Sequence, residues 1–195
     1  MKRTLGLVLM LCGLACLLAS GGLLWHNSRE DDLAGGAAEA MLQQLEVQLA
    51  EAPEAVPLTE EISTEMTIRE VDGLPCIGYL SLPSIERELP ILAEWDYPKL
   101  KKAPCRYMGS THTNDLIIAA HNYKRHFGLL TQLAPGDPVY FTDMDGIVTE
   151  YEVTDTELLL GTDVDKMVES DADLTLFTCT YGGKKRVTVR CVRVH

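Results

Sequence analysis

The feature that most constrains this chain is an uncharged, mainly apolar run at positions 5–24. A helix of about 20 residues, at about 1.5 Å of rise per residue, spans the roughly 30 Å hydrocarbon core of a bilayer. Lys2 and Arg3 precede the run, and Glu30, Asp31 and Asp32 follow it. The positive-inside rule therefore predicts a single-pass protein with a cytoplasmic N-terminus, whose remaining residues fold outside the cell.

Two other interpretations of the run are open. A cleaved signal peptide would use Ala19-Ser20-Gly21, but its apolar region is normally about 7–15 residues long, which is shorter than this one. A lipoprotein would be modified at Cys16, but Gly13 stands where an aliphatic residue is usual. The length of the run favours an uncleaved anchor.

Charge divides the 195 residues into three segments. The chain has 17 basic and 29 acidic residues, a net charge of -12, which makes nucleic acid an unsuitable partner. Residues 26–66 carry ten of the acids and one base. We predict a cytoplasmic tip and transmembrane signal-anchor at 1–25, an acidic stalk at 26–66 and an extracellular domain at 67–195.

The stalk has one helical pattern, at residues 37–51. Its apolar positions at helical spacing are Met41, Leu42, Leu45 and Leu49. These side chains would pack on the domain, pack on a second copy of the chain, or lie on a solvated amphipathic helix, and we favour the solvated helix. Pro53 and Pro57 would end it, and the acidic run to Glu65 would be a linker.

The pattern changes to short strands from about residue 68. Asp145-Gly146 and Gly182-Gly183 predict two hairpins. Short helices are expected near 126–133 and 163–169. The predicted strands cover residues 77–82, 88–95, 115–120, 139–142, 147–154, 174–178 and 186–194. Eight or so strands in about 125 residues predict an all-β fold, a closed or nearly closed barrel.

The second hairpin brings together a thiol and a guanidinium. Cys179 ends one strand and Arg186 opens the next, so a hairpin would make them neighbours. Alternation along both strands puts the two side chains on the outer face of the sheet. Arg190 shares that face, but it lies about 13 Å further along at ~3.3 Å per residue. A Cys at a strand end is a candidate nucleophile, with Arg186 beside it.

Three histidines compete as the partner of that thiol. His121 follows the buried apolar strand 116–120, a common position for a catalytic group. His112 lies in a polar turn and is expected at the surface, and His126 lies at the start of a predicted helix. The spacing favours His121.

Four segments, in order along the chain, resemble motifs of the sortases, the membrane-anchored cysteine transpeptidases of Gram-positive bacteria. LTLFTC at 174–179 is similar to the TLxTC motif, and RVTV at 186–189 resembles the Arg-led final strand. IAAHN at 118–122 resembles the strand that ends in the catalytic His, and IGYLSLPSI at 77–85 resembles the opening strand. Ala120 stands where the family usually has Gly before the His, a change in packing rather than in chemistry.

The resemblance implies a closed eight-stranded barrel and a two-step acyl transfer. Cys179 would attack a backbone carbonyl in an LPxTG-like sorting signal of a surface protein, and an amine of a peptidoglycan precursor or a pilin would resolve the thioacyl enzyme. His121 would serve as acid and base, and Arg186 would donate to the oxyanion. Thr178 and Asn122, next to these residues, are expected to bind or support the substrate.

The remaining residues predict no cofactor. The cysteines outside the apolar run lack the paired spacing of a zinc site, and Cys191 is expected in the core. A disulfide between Cys76 and Cys105 stays open. Asp143, Asp145, Asp163 and Asp165 could bind calcium, as some sortases do, but they form no EF-hand pattern.

Other functions are open at this point. The main alternative is a noncatalytic, membrane-anchored barrel that binds peptides or cell-wall polymers, with Cys179 inert. A papain-like hydrolase fits poorly, because its Cys precedes its His, whereas Cys179 follows His121 in this chain. Asn122 and the short spacing from Cys179 to Arg186 favour the class B or class D sortases over class A.

Overall fold

A computed structural model describes residues 2–51 and 65–194. The helices are α1 (Lys2–Glu51), α2 (Tyr97–Leu100) and α3 (Val164–Val168), with 3-10 turns at Pro83–Ile85 and Leu130–Gln132. The strands are β1 (Arg69–Val71), β2 (Leu74–Leu82), β3 (Arg87–Leu92), β4 (Cys105–Met108), β5 (Leu116–Ala120), β6 (Pro138–Asp143), β7 (Val148–Leu160), β8 (Leu174–Cys179) and β9 (Lys185–Arg193).

Eight of the strands close into a barrel. The order around it is β2-β3-β4-β5-β8-β9-β7-β6, and β6 pairs back onto β2. The β3–β4 and β5–β8 pairs are parallel, and the other pairs are antiparallel. The short strand β1 pairs with β2 beside the closed ring. The predicted closed eight-stranded barrel with short helices is confirmed.

Both faces of the barrel wall are covered at β5 and β8. Side chains such as Leu80, Ile118 and Leu176 fill the interior. On the outside, Ile117, Ala119 and Phe177 join a second apolar cluster that includes residues of α1 and α3. Because β5 is covered on both faces, every one of its residues is buried.

Helix α1 runs without a break through the predicted boundary at residues 25–26 and is 50 residues long. It is long and apolar enough to cross a membrane, with a mean hydropathy of 2.4 over an 18-residue window. This fits the expected transmembrane helix by length and composition. The three segment boundaries stay predictions, and the linker predicted after Pro53 lies outside the described residues.

The second half of α1 packs on the barrel, so the solvated helix favoured from the sequence is wrong. Met41 and Leu45 are fully buried in the outer apolar cluster, and Leu49 packs against it. Ala34 and Ala38 are buried on the same side of the helix. Burying these apolar side chains is more favourable than exposing them to water, and the packing fixes the helix against the strands.

Gly35 provides room for Arg125 of the loop after β5 to cross the helix. A Cβ at Gly35 would collide with Cδ and Nε of Arg125 and would lie 2.9 Å from its Cβ. The guanidinium forms ion pairs with Asp32 and Glu39 of α1. Gly35 therefore permits a close contact between the helix and this loop.

We expect Gly35→Ala and Gly36→Ala to change stability in opposite directions. Alanine in a helix interior is worth about 0.5–1 kcal/mol over glycine, and Gly36 has open space around it. Gly35→Ala must displace Arg125, which more than offsets that gain. Urea unfolding of the full chain in detergent micelles measures both, and equal stabilisation by the two substitutions would contradict the Arg125 packing.

The sequence missed three small elements before β5: β1, α2 and β4. Strand β4 is short, and its register with β5 shifts between Arg106 and Met108, so it shows no regular alternation. Helix α2 has one turn, capped by Asp96, whose side chain accepts from the amide of Lys99. Near 126–133 the structure has only the 3-10 turn, whereas α3 lies within the predicted 163–169.

Candidate active site

Three neighbouring strands bring His121, Cys179 and Arg186 side by side. In the parallel pair β5–β8, Ala120 is opposite Thr178, so the next residues, His121 and Cys179, follow at the same level. In the antiparallel pair β8–β9, Cys179 is directly opposite Arg186. Adjacent strands lie about 4.8 Å apart. The backbone therefore places His121, Cys179 and Arg186 in a row across three strands.

His121 and Cys179 line one cavity of about 530 Å³. One side of the cavity is α1, from Leu24 at the end of the apolar run to Asp31. Asn122 also lines it, as does Tyr181, which is 91% exposed. The cavity thus opens beside the place where α1 leaves its apolar segment.

The His121 imidazole is half-buried against Tyr123, with 4.9 Å between the ring centroids. Within the described residues its Nε2 has no hydrogen-bond partner. Burial lowers the pKa of His121, the positive charge of Lys101 lowers it further, and the Glu30 carboxylate raises it. The neutral imidazole is favoured, and Glu30 acts against that preference.

Cys179 differs from the three other cysteines of the domain in its exposure. Its side chain is half-buried, whereas Cys76, Cys105 and Cys191 are fully buried. Burial raises the pKa of each of these three thiols to about 12. Of the cysteines in residues 65–194, Cys179 is the accessible one.

Thr178 and Asn122 occupy different positions. The hydroxyl of Thr178 is buried and donates to the carbonyl of Ala120 over 2.8 Å. That contact ties the end of β8 to the residue before His121, a supporting position rather than one that faces the cavity. Asn122 is half-buried and lines the cavity.

Arg186 and Arg190 share the outer face but have different contacts. Nη1 of Arg186 donates to the carbonyls of Gly183 and Lys185 in the hairpin loop, and Arg186 is not among the residues that line the cavity with Cys179. Arg190 is 7% exposed and pairs with Glu157 at 3.0 Å. Its other partners are the carbonyls of Lys166 and Met167 and the hydroxyls of Ser170 and Thr175. Arg190 therefore holds the α3 segment against the sheet.

The competing histidines lie elsewhere. His112 is exposed in a turn, as the sequence predicts. His126 is fully buried between the barrel and α1, and burial lowers its pKa to about 4, although the nearby carbonyl of Ala34 acts in the opposite direction. Neither ring nitrogen of His126 forms a hydrogen bond within the described residues. His126 is not among the residues that line the cavity with Cys179.

Two open questions from the sequence concern other side chains. Cys76 and Cys105 are free, and each is opposite Leu92 on a different side of β3, too far apart for a disulfide. Asp143 and Asp145 lie at one end of the long strand β7, and Asp163 follows its other end. Within residues 2–51 and 65–194, no group of three or more His, Cys, Asp or Glu is placed to hold a metal ion.

The sequence missed the contribution of α1 to this site. Glu30 accepts a hydrogen bond from the Tyr123 hydroxyl at 3.1 Å, and Asp31 accepts from the amide of Arg125 at 3.0 Å. From the sequence, these acids are explained only as the acidic residues that follow a membrane helix and set its orientation. No local pattern reports a contact between segments so distant in the chain, so this one depends on how α1 packs.

Comparison with known proteins agrees with the fold of the barrel. Residues 80–194, more than half of the chain, match the family model of the sortase domain. No curated protein sequence matches closely enough to count as a relative. Sortase C1 from Streptococcus suis has a similar structure, with 28% identity and a TM-score of 0.54 over 62% of this chain and 73% of that one.

Two further solved structures share the fold. Sortase A from Corynebacterium diphtheriae is 20% identical, with a TM-score of 0.57 over 91% of this chain and 96% of that one. Clostridium perfringens sortase C, solved with the C-terminal cell wall sorting motif, is 22% identical, with a TM-score of 0.53 over 86% and 90%. The class B or D preference stays a prediction. The family-model match and the shared barrel show that this chain belongs to the sortase family, whose members are cysteine transpeptidases.

Proposed function

We propose that this chain is a sortase-type transpeptidase that cleaves an LPxTG-like sorting signal and joins the acyl part to an amine. The observation that carries the proposal is the row of His121, Cys179 and Arg186 across three neighbouring strands. A thiol is a good nucleophile when an acid–base group and an oxyanion donor flank it. This row supplies one group for each role.

In the first step, the Cys179 thiolate adds to the scissile carbonyl carbon of the sorting signal. The carbonyl π electrons move to oxygen, and the resulting oxyanion collapses to a thioester as the C–N bond breaks. The imidazolium of His121 gives its proton to the leaving amine, which departs neutral. The acyl part of the surface protein is then held on Cys179.

In the second step, the acceptor amine adds to the thioester carbon. Neutral His121 takes a proton from the attacking nitrogen, and the C–S bond breaks to return the thiolate. A new amide forms, and the thiolate–imidazolium pair is restored. The acceptor class we propose is an amine of a peptidoglycan precursor or of a pilin lysine.

Arg186 is the proposed oxyanion donor. A guanidinium carries five N–H donors, and its hydrogen bonds within residues 65–194 are those of Nη1 to the hairpin loop. Donors on Nε and Nη2 remain for the substrate. These donors would have to turn toward the thiol when the sorting signal binds, because Arg186 is not among the residues that line the cavity with Cys179.

We expect Arg186→Ala and Arg190→Ala to fail in different ways. Arg186→Ala should lower kcat/KM by about 10²–10³ and leave the free energy of unfolding nearly unchanged. Arg190→Ala removes the partner of half-exposed Glu157 and leaves the carbonyl of Met167 and the hydroxyl of Thr175 without that donor, so it should cost about 2–3 kcal/mol of stability, with activity retained per folded molecule. Lysine at 186 should restore little, because it lacks the planar fork of donors.

Peptide turnover and urea unfolding, measured on both variants of the full chain in micelles, separate these effects. The assignment of Arg186 fails if Arg190→Ala is the more damaging per folded molecule.

We propose that the site works at the extracellular face of the membrane. Lys2 and Arg3 before the apolar run and the acids after it support that orientation. Leu24 ends the run and lines the cavity. The reaction would therefore take place close to the lipid surface, on substrates presented there.

The proposal is tested by incubating the full chain in micelles with LPxTG-type peptides and a panel of amines. We expect a cleaved peptide and a new amide product by mass spectrometry. The noncatalytic alternative is tested with an alkylating probe at mild pH. Fast labelling of Cys179 supports a reactive thiolate, whereas labelling as slow as that of Cys76 or Cys191 supports an inert residue.

A further inference from the structure

The loop after β5 is tied to α1 at two consecutive helix residues. Oε2 of Glu30 accepts from the Tyr123 hydroxyl at 3.1 Å, and Oδ1 of Asp31 accepts from the amide of Arg125 at 3.0 Å. This loop begins at His121. The position of the imidazole therefore depends on a helix that starts in the apolar, membrane-crossing segment.

Tyr123 links Glu30 to the imidazole. Its ring lies 4.9 Å from the ring of His121 and 5.6 Å from the ring of His126, measured between centroids. Burial and the contact with Glu30 together raise the pKa of Tyr123 to about 12. The hydroxyl therefore stays protonated, and it remains a donor to Glu30 throughout the neutral range.

We propose that Glu30 is a positioning residue for His121: it holds Tyr123 against the imidazole and places a carboxylate beside it. The inference rests on the proposed function, because it concerns how His121 is prepared for proton transfer. It adds a residue of the juxtamembrane helix to a site otherwise built from the barrel.

The charges around His121 support this role. Burial and Lys101 both favour the neutral imidazole, and Glu30 is the group that favours the imidazolium. The second oxygen of Glu30 lies 3.8 Å from Nε2 of His26, one turn earlier in α1. Asp31 lies beside Glu30 on the helix. On the barrel side, the groups near the imidazole or on the same cavity are Lys101, Tyr123, Lys124, His126, Cys179 and Tyr181.

The imidazolium is the form that protonates the leaving amine. A carboxylate that stabilises it raises the population of that form, and the Tyr123 ring packed on the imidazole limits the orientations it can take. Glu30 would thus act on the rate of the chemical step and leave the affinity for the sorting peptide nearly unchanged.

The test compares Glu30→Gln with Glu46→Gln in the full chain in lipid nanodiscs. Both substitutions remove one negative charge from α1, but Glu46 is exposed and lies several turns further along the helix. Titration of His121 is followed by NMR without substrate, and kcat and KM are measured against pH. Equal urea unfolding of the two variants controls for folding.

We expect Glu30→Gln to move the His121 midpoint to lower pH, because the charge that favours the imidazolium is gone. The kcat should fall roughly three- to tenfold with KM little changed, because part of the roughly 10²–10⁴-fold contribution of acid–base catalysis is lost. Glu46→Gln should leave the midpoint and kcat unchanged. A purely structural role for Glu30 would not move the midpoint.

Tyr123→Phe is a second variant that keeps the ring and removes the donor. Like Glu30→Gln, it should lower kcat. The double variant should have a kcat no lower than that of the more damaging single variant, because both substitutions act through one contact. Identical midpoints in Glu30→Gln and Glu46→Gln, or a shifted midpoint with unchanged kcat, would overturn the inference. Absence of turnover by the unsubstituted chain would instead overturn the proposed function, because the NMR titration needs no substrate.

Discussion

Cys179→Ala is expected to abolish peptide cleavage and amide formation while the barrel stays folded. The thiol is the proposed attacking group, and no other cysteine of residues 65–194 lines the cavity. The side chain is half-buried at the end of β8, so removing one sulfur atom should change the free energy of unfolding by less than about 1 kcal/mol. Product formation from a matched peptide, with circular dichroism alongside, measures both effects.

Cys191→Ala is the matched control, because Cys191 lies on β9 with its side chain in the barrel interior. That variant should lose some stability through the cavity it creates, yet keep its activity per folded molecule. Measurable turnover of a sorting peptide by Cys179→Ala would rule out the thioacyl mechanism.

His121→Ala is expected to be nearly inactive and to lose the bell-shaped dependence of rate on pH. The active form needs a thiolate and an imidazolium together. In water a thiol has a pKa of about 8.5 and an imidazole one of about 6.5, so this combination is the minor one near neutral pH. Burial and Lys101 lower the pKa of His121, so the limb that belongs to the imidazole should lie at lower pH than for a histidine in water. Rates measured from acid to alkaline pH test this.

His112→Ala and His126→Ala are the controls, and both should retain the bell-shaped dependence of rate on pH. His126 is neutral in the folded chain, with its pKa lowered to about 4. It therefore favours folding above the pKa of an unfolded histidine, and that contribution is lost as the pH falls from about 6.5 toward 4. His126→Ala should weaken this acid sensitivity. If His126→Ala were as inactive as His121→Ala, with its fold intact, the assignment of His121 would be wrong.

Local sequence patterns were sufficient to predict the barrel and to predict that Cys179 is opposite Arg186. Alternation on β8 and β9, with Gly182 and Gly183 at positive φ in the turn, determines which residue is opposite Cys179. The apolar run of β5 marks a strand buried on both faces, and His121 follows its end. These signals lie within a few residues of one another, so they can be recognised without knowing which other part of the chain packs against them.

The docking of α1 could not be read in the same way. Met41 and Leu45 predict an amphipathic helix, but the spacing does not say which surface covers them. The contact of Glu30 with Tyr123 joins two distant parts of the chain, and acids after an apolar run are explained equally well by membrane orientation. The Arg190 network was missed for a related reason: an Arg on an outer sheet face looks solvated until the α3 segment folds over it.

The most direct test of the thioacyl mechanism is the intact mass of the full chain, quenched in acid after mixing with an LPxTG-type peptide in the absence of amine. We predict a mass increase equal to the acyl fragment of the peptide, mapped by proteolysis to Cys179 and released when an amine is added. An acyl group mapped to a different residue, or product formation that continues after Cys179 has been fully alkylated, would contradict it.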